Sequence, residues 1–352
     1  MEDMKNTEDM ENIEGMEDME VMEDIEETKT RNLGVTRLSL EEREHLRKII
    51  KQNNDKRIIR EGEDWILEPL IPAEAITILD GLGGSGKSWF AIDIAFAIGH
   101  GIDFLGRYPV KKQGVVLYFT AEETPRRFVN RLDLITQAYG DNGNLYWIST
   151  LDEEYPYETS IFLKDGWKIT KTLTADTIQF YIYEYEPVLV IIDSLINFYG
   201  LDENNSSEAK KFYELLTRWI RTYHCSFLLL HHQTKDSLRL RDDEGIFRGS
   251  IVFREQARQR LTYRSFKFED NGRTVTARKI SIEKANYYSP LLDEFPKYLR
   301  WSDGIHIYDE EFEKKAKQQE ETRKRFQTVK VKKDNKQEKA NGGSTGLIGK
   351  NF

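Results

Sequence analysis

The sequence predicts an α/β fold: a mainly parallel sheet with helices on both faces and an antiparallel extension at the C-terminal side. Three observations carry the prediction. Short apolar runs alternate with helical stretches between about residues 65 and 230, and runs apolar throughout belong to strands covered on both faces. Residues 81–88 read Gly-Leu-Gly-Gly-Ser-Gly-Lys-Ser directly after one such run. Val188-Leu-Val-Ile-Ile-Asp193 is another run, closed by a carboxylate.

Taken in order, residues 38–51 read as a helix, with Leu40, Leu46, Ile49 and Ile50 apolar and Ser39 as a cap. Trp65 to Pro72 is an apolar approach segment, and Ile76 to Leu79 a short buried strand that runs into the glycines. Trp89 to Gly99 is an apolar helix, Gly114 to Thr120 a strand, Thr124 to Ala138 a helix and Leu145 to Thr150 a strand. A helix over Ala175 to Tyr185, a strand over Pro187 to Ile192, a helix over Ser207 to Tyr223 and a strand over Ser226 to Leu230 complete the alternation. After Arg254 the texture becomes that of meandering strands, Gln259 to Phe268, Thr274 to Glu283 and His306 to Tyr308, with turns at Asn271-Gly272 and Asp303-Gly304. From Glu310 a charged helix frays into a Gly/Ser-rich tail.

The net charge of −9 is unevenly spread. Residues 1–30 carry thirteen Asp/Glu against two Lys, residues 310–352 twelve Lys/Arg against seven Asp/Glu, and the body between is close to balanced. The head repeats Met-Glu-Asp, holds all six methionines and contains no aromatic residue, so it cannot bury enough surface to order itself. It reads either as a solvated tail or as an acidic arm that mimics nucleic acid at a basic site; initiation at an internal Met is a further alternative. The division expected is an acidic head over 1–34, an ATPase domain over 35–309 and a charged helix with a basic tail over 310–352. No apolar run is long enough for a membrane span, none stands at the N-terminus as a secretory signal, and Cys225 is the single cysteine, all of which fit a cytoplasmic protein with no membrane partner.

The residues at 81–88 fit G-x-x-x-x-G-K-[ST] in the strand–loop–helix context that a phosphate-binding loop requires. Glycines let backbone amides turn toward phosphate oxygens, and the following helix aims its positive end at the same anion. Lys87 adds a mobile charge for the β- and γ-phosphates, and Ser88 a hydroxyl for Mg²⁺. Gly81, Gly83, Gly84, Ser85, Gly86, Lys87, Ser88 and Trp89 are therefore the candidate nucleotide-binding set, with ATP and Mg²⁺ the expected cofactors. Asp193, ending a buried strand, is the second candidate metal residue. Glu122, just past the strand ending at Thr120, is the candidate base that activates water, with Glu123 the runner-up. In Leu230-His-His-Gln-Thr-Lys235, a polar group at the strand end is placed to contact the γ-phosphate.

Five segments together resemble the RecA/DnaB superfamily, and most closely the RepA-like plasmid replicative helicases and related ATPases of mobile elements. They are residues 81–88, Tyr118-Phe-Thr-Ala-Glu-Glu123, Val190-Ile-Ile-Asp-Ser-Leu195, Leu230 to Lys235, and Phe247-Arg-Gly-Ser250 followed by Lys284-Ala-Asn-Tyr287. The likeness covers roughly residues 60–310. It implies a RecA-like core, Glu122 as catalytic base, His232 as γ-phosphate sensor and Arg258 as an arginine finger inserted into a neighbouring subunit of a hexameric ring. It also implies a pore loop between His232 and Arg248 that touches single-stranded DNA, where Lys235, Arg239 and Arg241 suit a phosphate backbone. The segment Phe253 to Arg260 is more basic than the family's, so Arg254 and Arg260 compete with Arg258 for the finger, and strand periodicity does not separate them. The leading expectation is a helicase that translocates on single-stranded DNA. The alternatives are a recombination mediator or loader that binds DNA without unwinding it, and a nucleotide-gated regulatory protein with no DNA contact.

Overall fold

In the computed structural model the chain divides into two units, residues 1–62 and 63–352. The structure describes residues 64–233 and 251–323 except 271 and 296, together with Arg325 and the helical Glu41, Glu44 and Lys48. The acidic head, most of the 38–51 helix, the 234–250 stretch with Lys235, Arg239, Arg241 and Arg248, and the terminal tail lie outside the described residues.

The second unit is built on a nine-stranded sheet. A short antiparallel ribbon, β1 (Trp65–Leu67) and β2 (Ile71–Pro72), leads into β3 (Ile76–Gly81), which delivers the chain to the glycine-rich loop. There follow α1 (Lys87–His100), β4 (Val116–Thr120), α2 (Pro125–Tyr139) and β5 (Leu145–Ser149). A hairpin of β6 (Phe162–Asp165) and β7 (Lys168–Lys171) precedes α3 (Leu173–Tyr185) and β8 (Leu189–Asp193). Next come α4 (Leu195–Tyr199), α5 (Ser206–Tyr223), β9 (Ser226–His232) and α6 (Ile251–Gln256). The last part holds β10 (Gln259–Asp270), β11 (Arg273–Ala285), β12 (Tyr298–Ser302), β13 (Ile305–Ile307) and a helix, α7, over 310–323.

Strands β5, β4, β8, β9, β3 and β10 lie side by side in that order and are all parallel; β11, β12 and β13 extend the sheet antiparallel beyond β10. Successive strand residues feed two different cores. Tyr118, Leu189, Ile191, Leu228 and Leu230 pack on the face that carries α1 and α2, whereas Leu117, Phe119, Val190, Ile192, Phe227 and Leu229 pack on the face that carries α3, α4 and α5. Both faces are dry, which is why these strands are apolar throughout instead of alternating.

Helix α1 is buried on nearly every side, because the C-terminal meander closes over it. The closure is polar at one point: Asp93 accepts hydrogen bonds from the Tyr139 hydroxyl at 2.8 Å and from the His306 amide at 2.7 Å, and it lies 3.0 Å from His306 Nδ1. With Nδ1 donating to Asp93, His306 Nε2 accepts from Tyr263 at 2.7 Å. A fully satisfied buried network of this kind fixes one arrangement of the meander on the nucleotide-loop helix. Farther out, Phe312 and Ala316 of α7 pack on Phe268, Ala277 and Tyr298, so this stretch of the charged helix is docked.

Several described elements are absent from the sequence reading, among them the β6–β7 hairpin, strand β12 and the short helices α4 and α6. Among the described residues no helix is long and apolar enough to cross a membrane.

Candidate active site

Parallel strands send their C-terminal ends to one edge of the sheet, and four neighbours do so here. Gly81 at the end of β3 is in register with His232 of β9; Asp193 of β8 lies beside Leu230 of β9; Thr120 of β4 lies beside Asp193, with Glu122 two residues on. The glycine-rich loop, the sensor candidate, the metal candidate and the base candidate thus stand in a row, although they come from segments up to 151 residues apart.

In the loop, Gly84 and Gly86 have φ of 71° and 105°, a region glycine enters without penalty. Gly81 has a separate reason to be glycine: a Cβ there would run into the carbonyl oxygen of Tyr263 on β10. Gly86 offers no side chain to cap α1, and no carboxylate occupies the first turn, so the positive end of the helix is left to an anion. The Ser85 hydroxyl is buried without a hydrogen-bond partner, while its carbonyl accepts from Arg278 Nη1 at 3.1 Å. Lys87 Nζ donates to the carbonyls of Gly81 and Leu82 at 3.0 and 3.1 Å and lies 3.3 Å from His232 Nδ1. Burial lowers the Lys87 pKa, and the charges of Asp193, Glu122 and Asp80 oppose that shift. An uncapped amide end, an orphaned hydroxyl and a buried ammonium are a donor set that fits nucleotide phosphates.

Asp193 is buried and accepts from the Tyr118 hydroxyl at 2.7 Å, with a further hydrogen bond to Ser88. Burial, and then the neighbouring Glu122, push its carboxyl above the usual range; Tyr118, Ser88 and Lys87 pull the other way. Ser88 and Asp193 therefore present two hard oxygen donors to one point at the foot of the loop, which suits Mg²⁺ held partly through its water shell. A cation there would relieve the cost of the buried carboxylate.

His232 Nε2 lies 2.6 Å from Glu122 Oε1. With Lys87 donating to Nδ1, the ring proton belongs on Nε2 and is donated to Glu122. Hydrogen bonding to His232 is the main cause of the lowered Glu122 pKa, with burial opposing it and Ser194 assisting. Lys87, His232 and Glu122 thus form one continuous chain of contacts. Glu123 is occupied differently: it pairs with Arg131, whose guanidinium also sits 4.8 Å over the Trp89 ring. Burial raises the Glu123 pKa while Arg131 lowers it. Trp89, in turn, meets Trp301 of β12 edge-on at 5.4 Å.

The three arginines that compete for the finger are separated by the structure. Arg254 lies on α6, Arg258 in the bend before β10 and Arg260 on β10, so they do not share a strand. Arg260 is buried and its Nε donates to Asp80 Oδ2 at 2.6 Å, in a network where Gln233 and Thr262 donate to Asp80 Oδ1 at 2.6 and 2.7 Å. Its side chain is engaged in this internal network. Arg258 is exposed and forms no ion pair among the described residues. Its amide donates to the carbonyl of Ile76, at the opposite end of β3 from the loop. Lys284, which donates to the Glu255 carbonyl at 2.8 Å, stands close enough to Arg258 for the two charges to interact.

The sequence reading missed the residues that support this row: Tyr118 on Asp193, Arg131 on Glu123, Arg278 on the loop, and the Asp80 network. Tyr118 and Asp80 were visible as polar interruptions in otherwise apolar strands; Arg131 and Arg278 carried no local signal.

A family profile described as an AAA domain matches residues 41–237, more than half of the chain. No curated protein matches it.

Proposed function

The chain belongs to the AAA-domain family of P-loop ATPases, and from that premise we propose that it works as a ring of identical subunits, a RepA-like replicative helicase that moves along single-stranded DNA. The chemistry proposed for its residues follows from their placement. Lys87 and the loop amides bind the phosphates, and Ser88 with Asp193 holds Mg²⁺, which supplies charge neutralisation on the transferring phosphoryl group. Glu122 orients the attacking water and accepts its proton; His232, in contact with both Lys87 and Glu122, reports whether the terminal phosphate is present. Glu123 is tied to Arg131 and more buried, whereas Glu122 is the more exposed of the two carboxylates and faces His232.

The observation that carries the ring is the place of Arg258. Its backbone is level with Ile76, and five residues of strand at about 3.3 Å each put roughly 16 Å between that level and Gly81, farther than one side chain reaches. An exposed arginine with no ion pair among the described residues, beyond reach of its own nucleotide, is suited to act on a neighbour's. A complete site then needs two subunits.

The test is the ATPase rate with and without single-stranded DNA, alongside mass by light scattering, with Lys87→Ala as the inactive reference. The expected result is a multi-subunit species whose turnover rises with DNA and vanishes in Lys87→Ala. Turnover by a monomer, indifferent to DNA, would overturn the proposal. Displacement of a labelled strand then separates a helicase from a mediator that binds without unwinding.

A further inference from the structure

Away from the nucleotide site, helices α5 and α6 border an open cleft of about 590 Å³. The Tyr213 hydroxyl donates to the Phe253 carbonyl at 2.8 Å, which pins α6 across α5 and sets one wall. The other wall is the exposed face of α5, where Lys210, Arg218 and Arg221 line the cleft with Thr217 and Thr222, and Gln256 of α6 faces them. Positions 210, 214, 217, 218 and 221 fall on one side of a helix by its three- and four-residue spacing. Glu214, the one carboxylate in the lining, stands a turn from both Lys210 and Arg218.

Unlike several other cations of the second unit, these three are not tied to a described carboxylate. Elsewhere on the second unit, Lys164 is paired with Glu208, Lys171 with Asp176, Lys279 with Glu320 and Lys315 with Asp270 and Glu311. Lys210, Arg218 and Arg221 form no ion pair among the described residues, with Glu214 or with any other carboxylate. Three cations with no ion pair among the described residues, two hydroxyls and an amide line one open channel. From Lys210 to Arg221 is eleven residues, about 16 Å of helix, long enough to lie along several phosphates of an extended strand.

We propose that the α5–α6 cleft binds the phosphodiester backbone of single-stranded DNA, as a second contact surface outside the 234–250 loop. This rests on the reading of the protein as a DNA-translocating ATPase and adds to it where part of the strand lies. Lys210, Arg218 and Arg221 neutralise phosphates, while Thr217, Thr222 and Gln256 donate to their oxygens. No aromatic ring in the lining is free to stack on bases, because Tyr213 is buried; the contact is to the backbone and carries no sequence preference.

The experiment is fluorescence anisotropy of a labelled oligodeoxythymidylate titrated with the full-length protein across a salt series. Three variants are compared with the unaltered protein: Arg218→Ala/Arg221→Ala, Glu214→Gln and, for the loop, Lys235→Ala/Arg239→Ala. Each phosphate contact on a single strand contributes about 0.7 to the salt slope, so the double alanine variant should lose about 1.4 and bind more than tenfold more weakly at low salt. Glu214→Gln should tighten binding several-fold, a gain that misfolding cannot produce. Binding of a fluorescent ATP analogue should be unchanged in both, because neither touches the nucleotide site. If the unaltered protein binds the oligonucleotide and neither cleft variant alters slope or affinity while the loop variant does, the cleft assignment falls and the DNA reading stands. If polyglutamate binding is lost in the alanine variant instead, the cleft belongs to an acidic protein and the assignment is overturned. An unaltered protein that binds no oligonucleotide removes both readings.

Discussion

Glu122 and Glu123 are neighbours in the chain with different surroundings. Glu122 faces His232 and the row of strand ends, whereas Glu123 is folded back onto Arg131. Glu122→Gln should therefore keep ATP bound and lose about 10²–10⁴ in turnover, since only water activation is removed. Glu123→Gln should retain turnover within a few-fold. Steady-state rates with a fluorescent nucleotide-binding assay decide it, and a dead Glu123→Gln with an active Glu122→Gln would reverse the assignment. The sequence ranks Glu122 ahead of Glu123 without a physical reason for the order, because what distinguishes them is which side of the strand end each side chain takes. The same holds for Arg258 and Arg260. Only the fold shows that Arg260 is buried against a fully buried Asp80. Breaking a buried ion pair by removing one partner costs about 3–5 kcal/mol, so Arg260→Leu should lower the melting temperature sharply in thermal unfolding. An Arg260→Leu protein as stable as its parent, yet inactive, would favour it as the finger.

Among the elements, the parallel strands were legible because both their faces are dry, and apolar runs with no polar alternation have few other uses. The glycine-rich loop was legible because phosphate binding dictates residue type at fixed spacing. The β6–β7 hairpin was not, because Phe162 to Lys171 is short and mostly polar; its Asp165-Gly166 pair is a turn signal that stands out only once the strands are seen. Nor was β12, where two arms of the meander are separated by a short 3₁₀ turn at Pro290–Leu292. The meander matters to the site because it lies against the loop: Tyr263 of β10 backs Gly81, and Arg278 of β11 holds the Ser85 carbonyl. Gly81→Ala puts a methyl group into the Tyr263 carbonyl, and forced overpacking of this kind costs about 1–3 kcal/mol. The variant should melt earlier and bind nucleotide more weakly, the two losses appearing together in thermal shift with and without ATP. A loss of nucleotide binding at full stability would mean that the strand contact is not what the glycine serves.

For the molecule as a whole, the row of strand ends brings together the glycine-rich loop and the candidate metal donors, base and sensor, and leaves Arg258 at the opposite end of β3. An arginine finger contributes about 10³–10⁵ in phosphoryl-transfer rate, so under the proposed assignment of Arg258 a subunit that works alone would lack a large part of its acceleration. Arg258→Ala should therefore bind ATP and assemble normally while being nearly inactive. The most direct measurement is the ATPase rate of Arg258→Ala mixed in increasing proportion with Lys87→Ala, each inactive when pure. The account predicts recovery that peaks at intermediate mixing, because some interfaces then join an intact Lys87 site to an intact Arg258. No recovery at any ratio, in mixtures shown by light scattering to co-assemble, would contradict it.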